Sequence, residues 1–318
     1  MSAITNSRTA LPITIRGVTK TYGDVYALDD VDLDVSSGEF ITLLGPSGSG
    51  KTTLLMVLSG FNRPDCGSVM FGDKEVIRMS PHVRDVGMVF QNFGLLPHLS
   101  VLENVAFPLQ VQGIDKPNRL ARAMEMIELV GLAGRETSYP RQLSGGQQQR
   151  VGIARSLAVE PELWFLDEPF SALDPLIRRQ MQDEFLRLQQ LLHKTIVFIT
   201  HDFLEALRLA DRIAIMKDGK IVQIGTPAEV VMQPADDYVE EFTQDVPRVK
   251  VLTAGDIMKP VDASVDVVAA VPVNMTLEGL MPRFGERLGV LNIENDSGNV
   301  IGQVTPQGIL AALATEKD

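Results

Sequence analysis

Residues 40–53 read FITLLGPSGSGKTT, an apolar run followed by a loop of glycine and serine and then by Lys51 and Thr52. The run Phe40–Leu44 predicts a buried strand, and the residues from Lys51 to about Ser59 predict a helix. The loop between them fits the pattern G-x-x-x-x-G-K-[ST], which binds phosphates where a strand leads into a helix. This stretch therefore predicts an α/β fold with a phosphate site.

The whole loop is expected to take part in that site. Glycines let the backbone curl until its N–H groups face phosphate oxygens, and the helix N-terminus adds positive partial charge. Lys51 is expected to reach the β- and γ-phosphates of ATP, and Thr52 to ligate Mg²⁺. The predicted phosphate-binding residues are Gly45, Pro46, Ser47, Gly48, Ser49, Gly50, Lys51, Thr52 and Thr53.

A second apolar run ends in two carboxylates. Residues 163–168 read LWFLDE. Alone, such an ending is more often structural, but a phosphate loop upstream changes its meaning. Asp167 is then placed to hold Mg²⁺, and Glu168 to polarise an attacking water.

Strands and helices are predicted to alternate along the rest of the chain. This alternation predicts an α/β core with a parallel sheet. The first two strands, with turn residues Tyr22–Asp24 between them, predict a small antiparallel addition. The predicted strands are Ile13–Val18, Leu28–Val35, Leu163–Leu166 and Ile196–Thr200, and the further helices are Arg119–Val130, Gln148–Ala158 and Met181–Leu192.

The 318-residue chain carries a formal net charge of −12 and a single cysteine, Cys66. An acidic surface repels nucleic-acid phosphates, so no nucleic-acid partner is expected. One cysteine excludes an internal disulfide and a cysteine metal cluster. The N-terminus lacks the pattern of a signal peptide, and no apolar run reaches roughly 18 residues, so any membrane role is expected to be peripheral.

Residues 143–147 read LSGGQ, and a helix is predicted to begin near Gln148. A serine hydroxyl, two glycine amides and a helix N-terminus form a second anion cradle. LSGGQ resembles the signature of ATP-binding cassette (ABC) ATPases, in which the signature of one subunit closes over ATP held by the phosphate loop of another. The resemblance implies ATP contacts from Ser144, Gly145, Gly146 and Gln147.

Four more residues fit this family's pattern in order and spacing. Tyr22 fits the aromatic residue that stacks on adenine, and Gln91 the glutamine that senses Mg²⁺ and contacts the membrane partner. Asp174 closes the segment 171–174, which fits the loop that crosses between subunits, and His201 fits the histidine that contacts the γ-phosphate. The resemblance thus implies Glu168, His201 and Gln91 as catalytic residues, and Thr52, Gln91 and Asp167 as Mg²⁺ ligands.

The resemblance covers residues 13 to about 245 and implies an ABC ATPase core with an antiparallel β subdomain and a helical subdomain. It implies a homodimer that binds ATP and Mg²⁺, an integral membrane permease as partner, and a solute-binding protein that acts indirectly. The expected location is the cytoplasmic face of a bacterial inner membrane. Residues 93–98, next to Gln91, are expected to dock the permease.

The solute can be predicted only from likeness to particular importers. Residues 16–150 resemble importer ATPases broadly, including polyamine types, whereas residues 170–258 are similar to the ATPases of glycine betaine, proline and choline importers. We therefore predict an osmolyte-like solute, with a polyamine-type importer as the alternative. Two alternatives are less favoured. The acidic charge argues against a non-transport ABC ATPase, and the intact Lys51 and Glu168 argue against a regulatory module with an idle ATPase.

The pattern changes near Pro247, so we predict an ATP-binding domain over 1–246 and a small α+β domain over 250–318. Residues 252–314 resemble one cystathionine-β-synthase (CBS) motif, a unit that normally works in pairs. The acid that adenosine-binding copies carry after their threonine is absent, since Gly308 stands there after Thr305. Two functions stay open for this tail, regulation by a ligand and pairing with the same unit of a partner subunit.

Overall fold

The computed structural model describes residues 10–171, 173–244, 246–262, 264–284, 289–295 and 297–314. The chain divides into two compact units between Ile224 and Gly225. This division lies earlier than the predicted boundary, because Ala228, Met232 and Val249 pack against the core of the second unit.

The described residues of the first unit form ten strands in two sheets, and the α-helices lie between strands in sequence. The strands are β1 Ile13–Tyr22, β2 Val25–Val35, β3 Phe40–Leu44, β4 Cys66–Phe71, β5 Lys74–Glu75, β6 Val86–Val89, β7 Leu163–Asp167, β8 Thr195–Thr200, β9 Arg212–Lys217 and β10 Lys220–Gly225. The helices are α1 Lys51–Ser59, α2 Val101–Val111, α3 Lys116–Leu129, α4 Gly145–Ala158, α5 Pro175–Leu192 and α6 Phe203–Leu209.

The larger sheet places the ends of three strands side by side. Its order is β10-β9-β3-β8-β7-β6, and β3, β8, β7 and β6 run parallel. Leu44 at the end of β3 is in register with Thr200, and Asp167 at the end of β7 is in register with Ile199. Because carboxyl ends of parallel strands meet at one edge, the loops after β3, β7 and β8 share that edge.

The smaller sheet is antiparallel in the order β2-β1-β4-β5, as the alternation predicted for its first two strands. Both strands run further than predicted. They continue to Tyr22 and start again at Val25, so that only Gly23 and Asp24 form the turn. Ladder hydrogen bonds extended β1 and β2 past the residues whose side chains alternate regularly.

The signature segment is helical earlier than predicted, and the predicted start near Gln148 is wrong. Helix α4 begins at Gly145, with Ser144 as its N-cap. Ser144 Oγ accepts from the Gln147 N–H (3.3 Å), and Gln147 Oε1 accepts from the Ser144 N–H (3.0 Å). This reciprocal pair is a capping box, which stabilises the first helical turn even though two of its residues are glycine.

An aromatic cluster fills the core beneath one face of the larger sheet. Trp164 and Phe185 lie with ring centroids 4.9 Å apart, and Phe40 and Phe198 pack around Phe185. The Trp164 indole Nε1–H donates to Ser156 Oγ at 2.9 Å, so its one polar group is satisfied.

In the described part of the chain, no helix combines the length and the apolar character needed to span a membrane.

Arg84 is buried and holds the C-terminal end of helix α1. Its Nη1 donates to the carbonyl oxygens of Val57 and Leu58 at 2.7 Å each, and its Nε to that of Met79 at 3.1 Å. Burial lowers the pKa of its guanidinium. Since the last carbonyls of a helix have no partner within it, Arg84 satisfies groups that would otherwise be buried unpaired.

We therefore expect Arg84→Met to lower the free energy of unfolding by about 2–4 kcal/mol, the range for losing several buried hydrogen bonds. Urea denaturation would measure the change. Arg16→Met is the matched control, because Arg16 pairs with Asp34 at a site where both side chains are at least half exposed. Equal stability losses in the two variants would contradict the structural role assigned to Arg84.

In the second unit, the residues that the structure describes form six α-helices and a three-stranded sheet. Strands β11 and β12 are parallel, and β12 and β13 are antiparallel. Its strands are β11 Val267–Pro272, β12 Val290–Glu294 and β13 Val300–Val304. Its helices are α7 Pro227–Met232, α8 Asp237–Thr243, α9 Arg248–Val251, α10 Ala254–Ile257, α11 Leu277–Leu280 and α12 Pro306–Ala314. The unit is thus α+β, while its likeness to a CBS motif stays a prediction.

Candidate functional site

The loop 45–50 joins β3 to α1, and two of its glycines are required by close backbone contacts. Gly45 and Gly50 have φ angles of 156° and 102°. A Cβ on Gly45 would lie 2.2 Å from the Met216 carbonyl oxygen, and one on Gly50 would lie 2.4 Å from that of Ala27. Only glycine fits at either position, so the curled loop follows from its sequence.

Lys51 is buried at the first position of α1, and its side chain curls back into the loop. Its Nζ donates to the carbonyl oxygens of Gly45 and Pro46 at 2.8 Å each and lies 3.4 Å from Ser49 Oγ. Burial lowers the pKa of Lys51, and the charges of Glu168 and Asp167 oppose that shift. A desolvated ammonium group in a loop of backbone N–H groups is a strong anion site.

Asp167 ends β7 directly opposite Thr52 on α1. Thr52 Oγ1 and Asp167 Oδ1 are 3.5 Å apart. Burial, together with the neighbouring charge of Glu168, raises the pKa of Asp167. A carboxylate held beside a second carboxylate is stabilised by a cation. Mg²⁺ prefers oxygen ligands, so the Thr52 hydroxyl and the Asp167 carboxylate fit their predicted role as Mg²⁺ ligands.

Glu168 follows β7 in a left-handed backbone conformation, with φ of 43°. Its N–H donates to the Ile199 carbonyl oxygen at 3.1 Å, which joins it to β8. Its Oε2 lies 3.2 Å from His201 Nδ1 and accepts from Gln91 Nε2 at 3.3 Å. The three predicted catalytic residues, Glu168, His201 and Gln91, therefore meet at one carboxylate oxygen.

These residues line an open cavity of about 600 Å³. Three further residues line it: Phe90 and Asn92, which were not predicted as site residues, and Ser171, which belongs to the loop predicted to cross between subunits. Ser171 Oγ donates to the Glu168 carbonyl oxygen at 2.9 Å, so it supports the turn that carries the carboxylate. Phe90 and Asn92 flank Gln91 in sequence, and that adjacency was the available signal.

The signature residues lie elsewhere in the unit. Ser144, Gly146 and Gln147 line a second cavity of about 270 Å³, formed with residues of α5. Gly146 packs closely on α5, where a Cβ would lie 2.8 Å from Ile177 Cγ2. Ser144 and Gln147 cap the helix. The N–H groups of Gly145 and Gly146 lie in its first turn, where no carbonyl four residues earlier belongs to the helix. One chain therefore does not bring the signature to the first cavity.

That cavity's lining also leaves out the predicted residues of the phosphate loop, 45–53, and two further predicted residues, Tyr22 and Asp174. Tyr22, at the end of β1, is half exposed; its hydroxyl accepts from Asn62 Nδ2 at 2.8 Å, and Lys20 Nζ lies 5.5 Å from its ring centroid. Asp174 is the N-cap of α5, where its Oδ1 accepts from the Ile177 N–H at 3.1 Å. Ala172, in the same loop as Asp174, lies outside the described residues.

A family model described as "ABC transporter" matches residues 28–171 of the chain. The chain is 52% identical over 301 residues to a trimethylamine N-oxide transport system ATP-binding protein of Ruegeria pomeroyi, covering 92% of this chain and 87% of that protein. It is 49% identical over 252 residues to a glycine betaine transport ATP-binding protein of Bacillus subtilis, covering 77% of this chain and 60% of that protein.

Two solved structures share this fold over 67% and 73% of this chain. A dimeric ATP-binding cassette in a post-hydrolysis state, bound to ADP and phosphate, has a TM-score of 0.61 and 36% identity, covering 67% of this chain and 98% of that one. A nucleotide-free ATP-binding cassette from an ABC transporter has a TM-score of 0.66 and 26% identity, covering 73% of this chain and 98% of that one.

Proposed function

Since this chain belongs to the ABC transporter family as an ATP-binding subunit, we propose that its ATP hydrolysis powers import of a small trimethylated solute, trimethylamine N-oxide or glycine betaine. One observation carries the choice of solute. The match to trimethylamine N-oxide systems extends over 92% of this chain and so includes part of the second unit, whereas the matches to the glycine betaine and spermidine/putrescine systems cover 77% and 74% of it.

The alternative, a polyamine-type importer, has narrower support. A spermidine/putrescine import ATP-binding protein of Nitratidesulfovibrio vulgaris is 48% identical over 234 residues, which is 74% of this chain. Trimethylamine N-oxide and glycine betaine both carry a trimethylated nitrogen and a nearby anionic oxygen, whereas polyamines are multiply charged cations. The solute contacts other subunits, so the choice rests on family likeness.

ATP is proposed to bind with its phosphates in the loop 45–50. Lys51 then exchanges its contacts with the carbonyls of Gly45 and Pro46 for β- and γ-phosphate oxygens. The N–H groups of the loop and of the first turn of α1 donate to the same oxygens. Tyr22, exposed at the end of β1, is proposed to stack on the adenine ring.

Glu168 is proposed to accept the proton of the attacking water, and His201 to contact the γ-phosphate. The water then lies in the cavity where Glu168 Oε2 faces His201 and Gln91. A bound Mg²⁺ would neutralise phosphate charge, held by Thr52, Asp167 and Gln91. Thr52 and Asp167 support this assignment by facing each other across 3.5 Å.

The active unit is proposed to be a head-to-tail homodimer with two ATP molecules between the subunits. The separation of the signature cavity from the catalytic cavity supports this arrangement, because a second copy is needed to supply Ser144–Gln147. Asp174 is proposed to lie where the two subunits cross. Closure binds the γ-phosphate, and its release lets the dimer open.

The permease is proposed to dock beside Gln91, on residues 93–98, at the cytoplasmic face of the membrane. Arg155 supports a defined shape there, since its guanidinium donates to the carbonyls of Phe93 and Gly94 at 2.6 and 2.7 Å. A solute-binding protein acts through the permease. Residues 250–318 are proposed to form a single CBS-like domain that pairs with its copy in the partner subunit, or that takes a ligand.

Transport by the assembled complex in vesicles tests the solute. We expect ATP-driven uptake of radiolabelled trimethylamine N-oxide or glycine betaine, and none of spermidine, because recognition of a trimethylated nitrogen does not extend to primary amines. Choline and proline complete the panel, and a complex with Lys51→Met is the control for ATP dependence. Uptake confined to spermidine would overturn the solute, and ATP-independent uptake would overturn the role of this subunit.

A further inference from the structure

A buried polar network lies directly behind the turn that carries His201. Its members are Thr200 at the end of β8, Glu205 on α6 and Gln182 on α5, and each is more than nine-tenths buried. Glu205 accepts from Thr200 Oγ1 at 2.5 Å and from Gln182 Nε2 at 2.9 Å. Neither Gln182 nor Glu205 lines the cavity that contains Glu168, His201 and Gln91, so the network has no direct part in the chemistry described above.

The donors and acceptors of this network follow from its chemistry. Arg208 Nη1 lies 2.8 Å from one end of the Gln182 amide, and a guanidinium can only donate, so that end is the oxygen. The amide nitrogen of Gln182 therefore faces Glu205, whose oxygen must accept. Thr200 Oγ1 accepts from the Asp202 N–H at 3.0 Å, which leaves the Thr200 hydroxyl hydrogen for Glu205.

Both sequence neighbours of His201 are hydrogen-bonded within this network. Thr200 precedes His201, and Asp202, which follows it, caps α6 by accepting from the Glu205 N–H at 3.1 Å. Arg178, one helical turn before Gln182 on α5, lies 3.6 Å from Asp202 and donates to the Leu173 carbonyl oxygen at 3.2 Å. Helix α5 thus holds the His201 turn at two points and contacts the loop that ends at Asp174.

We propose that Gln182 and Glu205 are positioning residues, which fix the His201 turn so that its imidazole faces Glu168 and which tie that turn to helix α5. This inference rests on the proposed catalytic role of His201. Burial raises the pKa of Glu205, while its hydrogen bonds from Thr200 and Gln182 oppose that shift. Loss of either donor leaves a buried acceptor unpaired and frees the turn to move.

The test measures ATP hydrolysis by the assembled transporter carrying Gln182→Met, which keeps the side chain's length and removes both polar atoms. We expect kcat to fall about 10-fold or more, the effect of a small misplacement of a catalytic group, with the Kd for ATP unchanged. Gln190→Met, at an exposed position of the same helix, is the matched control. A kcat equal to that of the control would overturn the proposal.

The pH dependence of kcat in Gln182→Glu distinguishes a positioning role from a merely structural one. Two facing carboxyl groups can form the hydrogen bond only while they share a proton. The charged groups around them are Arg178, Asp183, Asp202 and Arg208. We expect the ratio of variant to wild-type kcat to rise as the pH falls, and a ratio independent of pH would overturn the proposal. A parallel fall of kcat, ATP affinity and thermal stability in both variants would also overturn it.

His201→Ala in the same assay separates this inference from the proposed function. If His201→Ala hydrolyses ATP at the wild-type rate, the catalytic role of His201 fails and the network has nothing to position. If His201→Ala is inactive while Gln182→Met and Gln182→Glu behave as the control does, only the positioning role fails.

Discussion

Replacing Glu168 by glutamine is expected to lower the rate of ATP hydrolysis by about 10²–10⁴-fold, the usual contribution of a general base, while ATP binding is retained. The amide keeps the size of the carboxylate but cannot accept a proton from water. The Glu168 turn should survive the change, because its backbone is held by Ile199 and Ser171 and not by its own side chain.

A second consequence of the same substitution is a stable dimer. If ATP closes two subunits and hydrolysis opens them, a chain that binds ATP without hydrolysing it should accumulate as the closed dimer. Phosphate release would measure the rate, and size-exclusion chromatography in ATP would measure the dimer. Glu75→Gln, at an exposed position of β5, is the control. A Glu168→Gln chain that hydrolyses ATP at the wild-type rate would contradict the assignment of the base.

Replacing Lys51 by methionine is expected to weaken ATP binding and to abolish hydrolysis. A hydrogen bond to a charged group contributes about 1.5–3 kcal/mol, so losing the ammonium group should weaken ATP binding by at least about 10-fold to 100-fold. The variant should still fold, because the ammonium group donates its hydrogen bonds to the loop itself, at Gly45, Pro46 and Ser49.

Fluorescence titration with a labelled ATP analogue would measure the affinity of the Lys51→Met chain, and phosphate release its rate. Lys74→Met, which changes an exposed lysine on β5, is the control. Comparing Glu168→Gln with Lys51→Met is informative, because the first should bind ATP without hydrolysing it, whereas the second should bind ATP more weakly and not hydrolyse it. Wild-type affinity in Lys51→Met would show that the loop backbone alone holds the phosphates.

The core of the first unit could be predicted from sequence, because its central elements are continuous apolar runs beside a distinctive loop. Phe40–Leu44 and Lys51–Ser59 have the bounds that were predicted. The prediction failed at the start of α4, where a Ser-x-x-Gln capping pair overrides the low helix propensity of two glycines. The outer ends of β1 and β2 depend on pairing between strands, which a local pattern does not contain.

The sequence predicted some residues in and around the candidate site and missed others. Glu168 was predicted from the two carboxylates that end an apolar run, and His201 and Gln91 from the family resemblance. The structure brings the three side chains to one oxygen, and their catalytic roles stay a prediction. The network of Gln182 and Glu205 was not predicted, since these residues lie on different helices with no pattern that joins them. Buried polar partners of this kind depend on packing between elements, and only the folded chain brings them together.

The left-handed backbone of Glu168 sets stability and activity against each other at one position. A residue with a side chain costs roughly 1–3 kcal/mol in such a conformation, whereas glycine adopts it without strain. A search for heat-resistant variants that scored folding alone would therefore favour glycine at residue 168 and discard the carboxylate that we propose as the catalytic base. If the carboxylate is the proposed base, selection for transport has to keep a residue that lowers the stability of the fold.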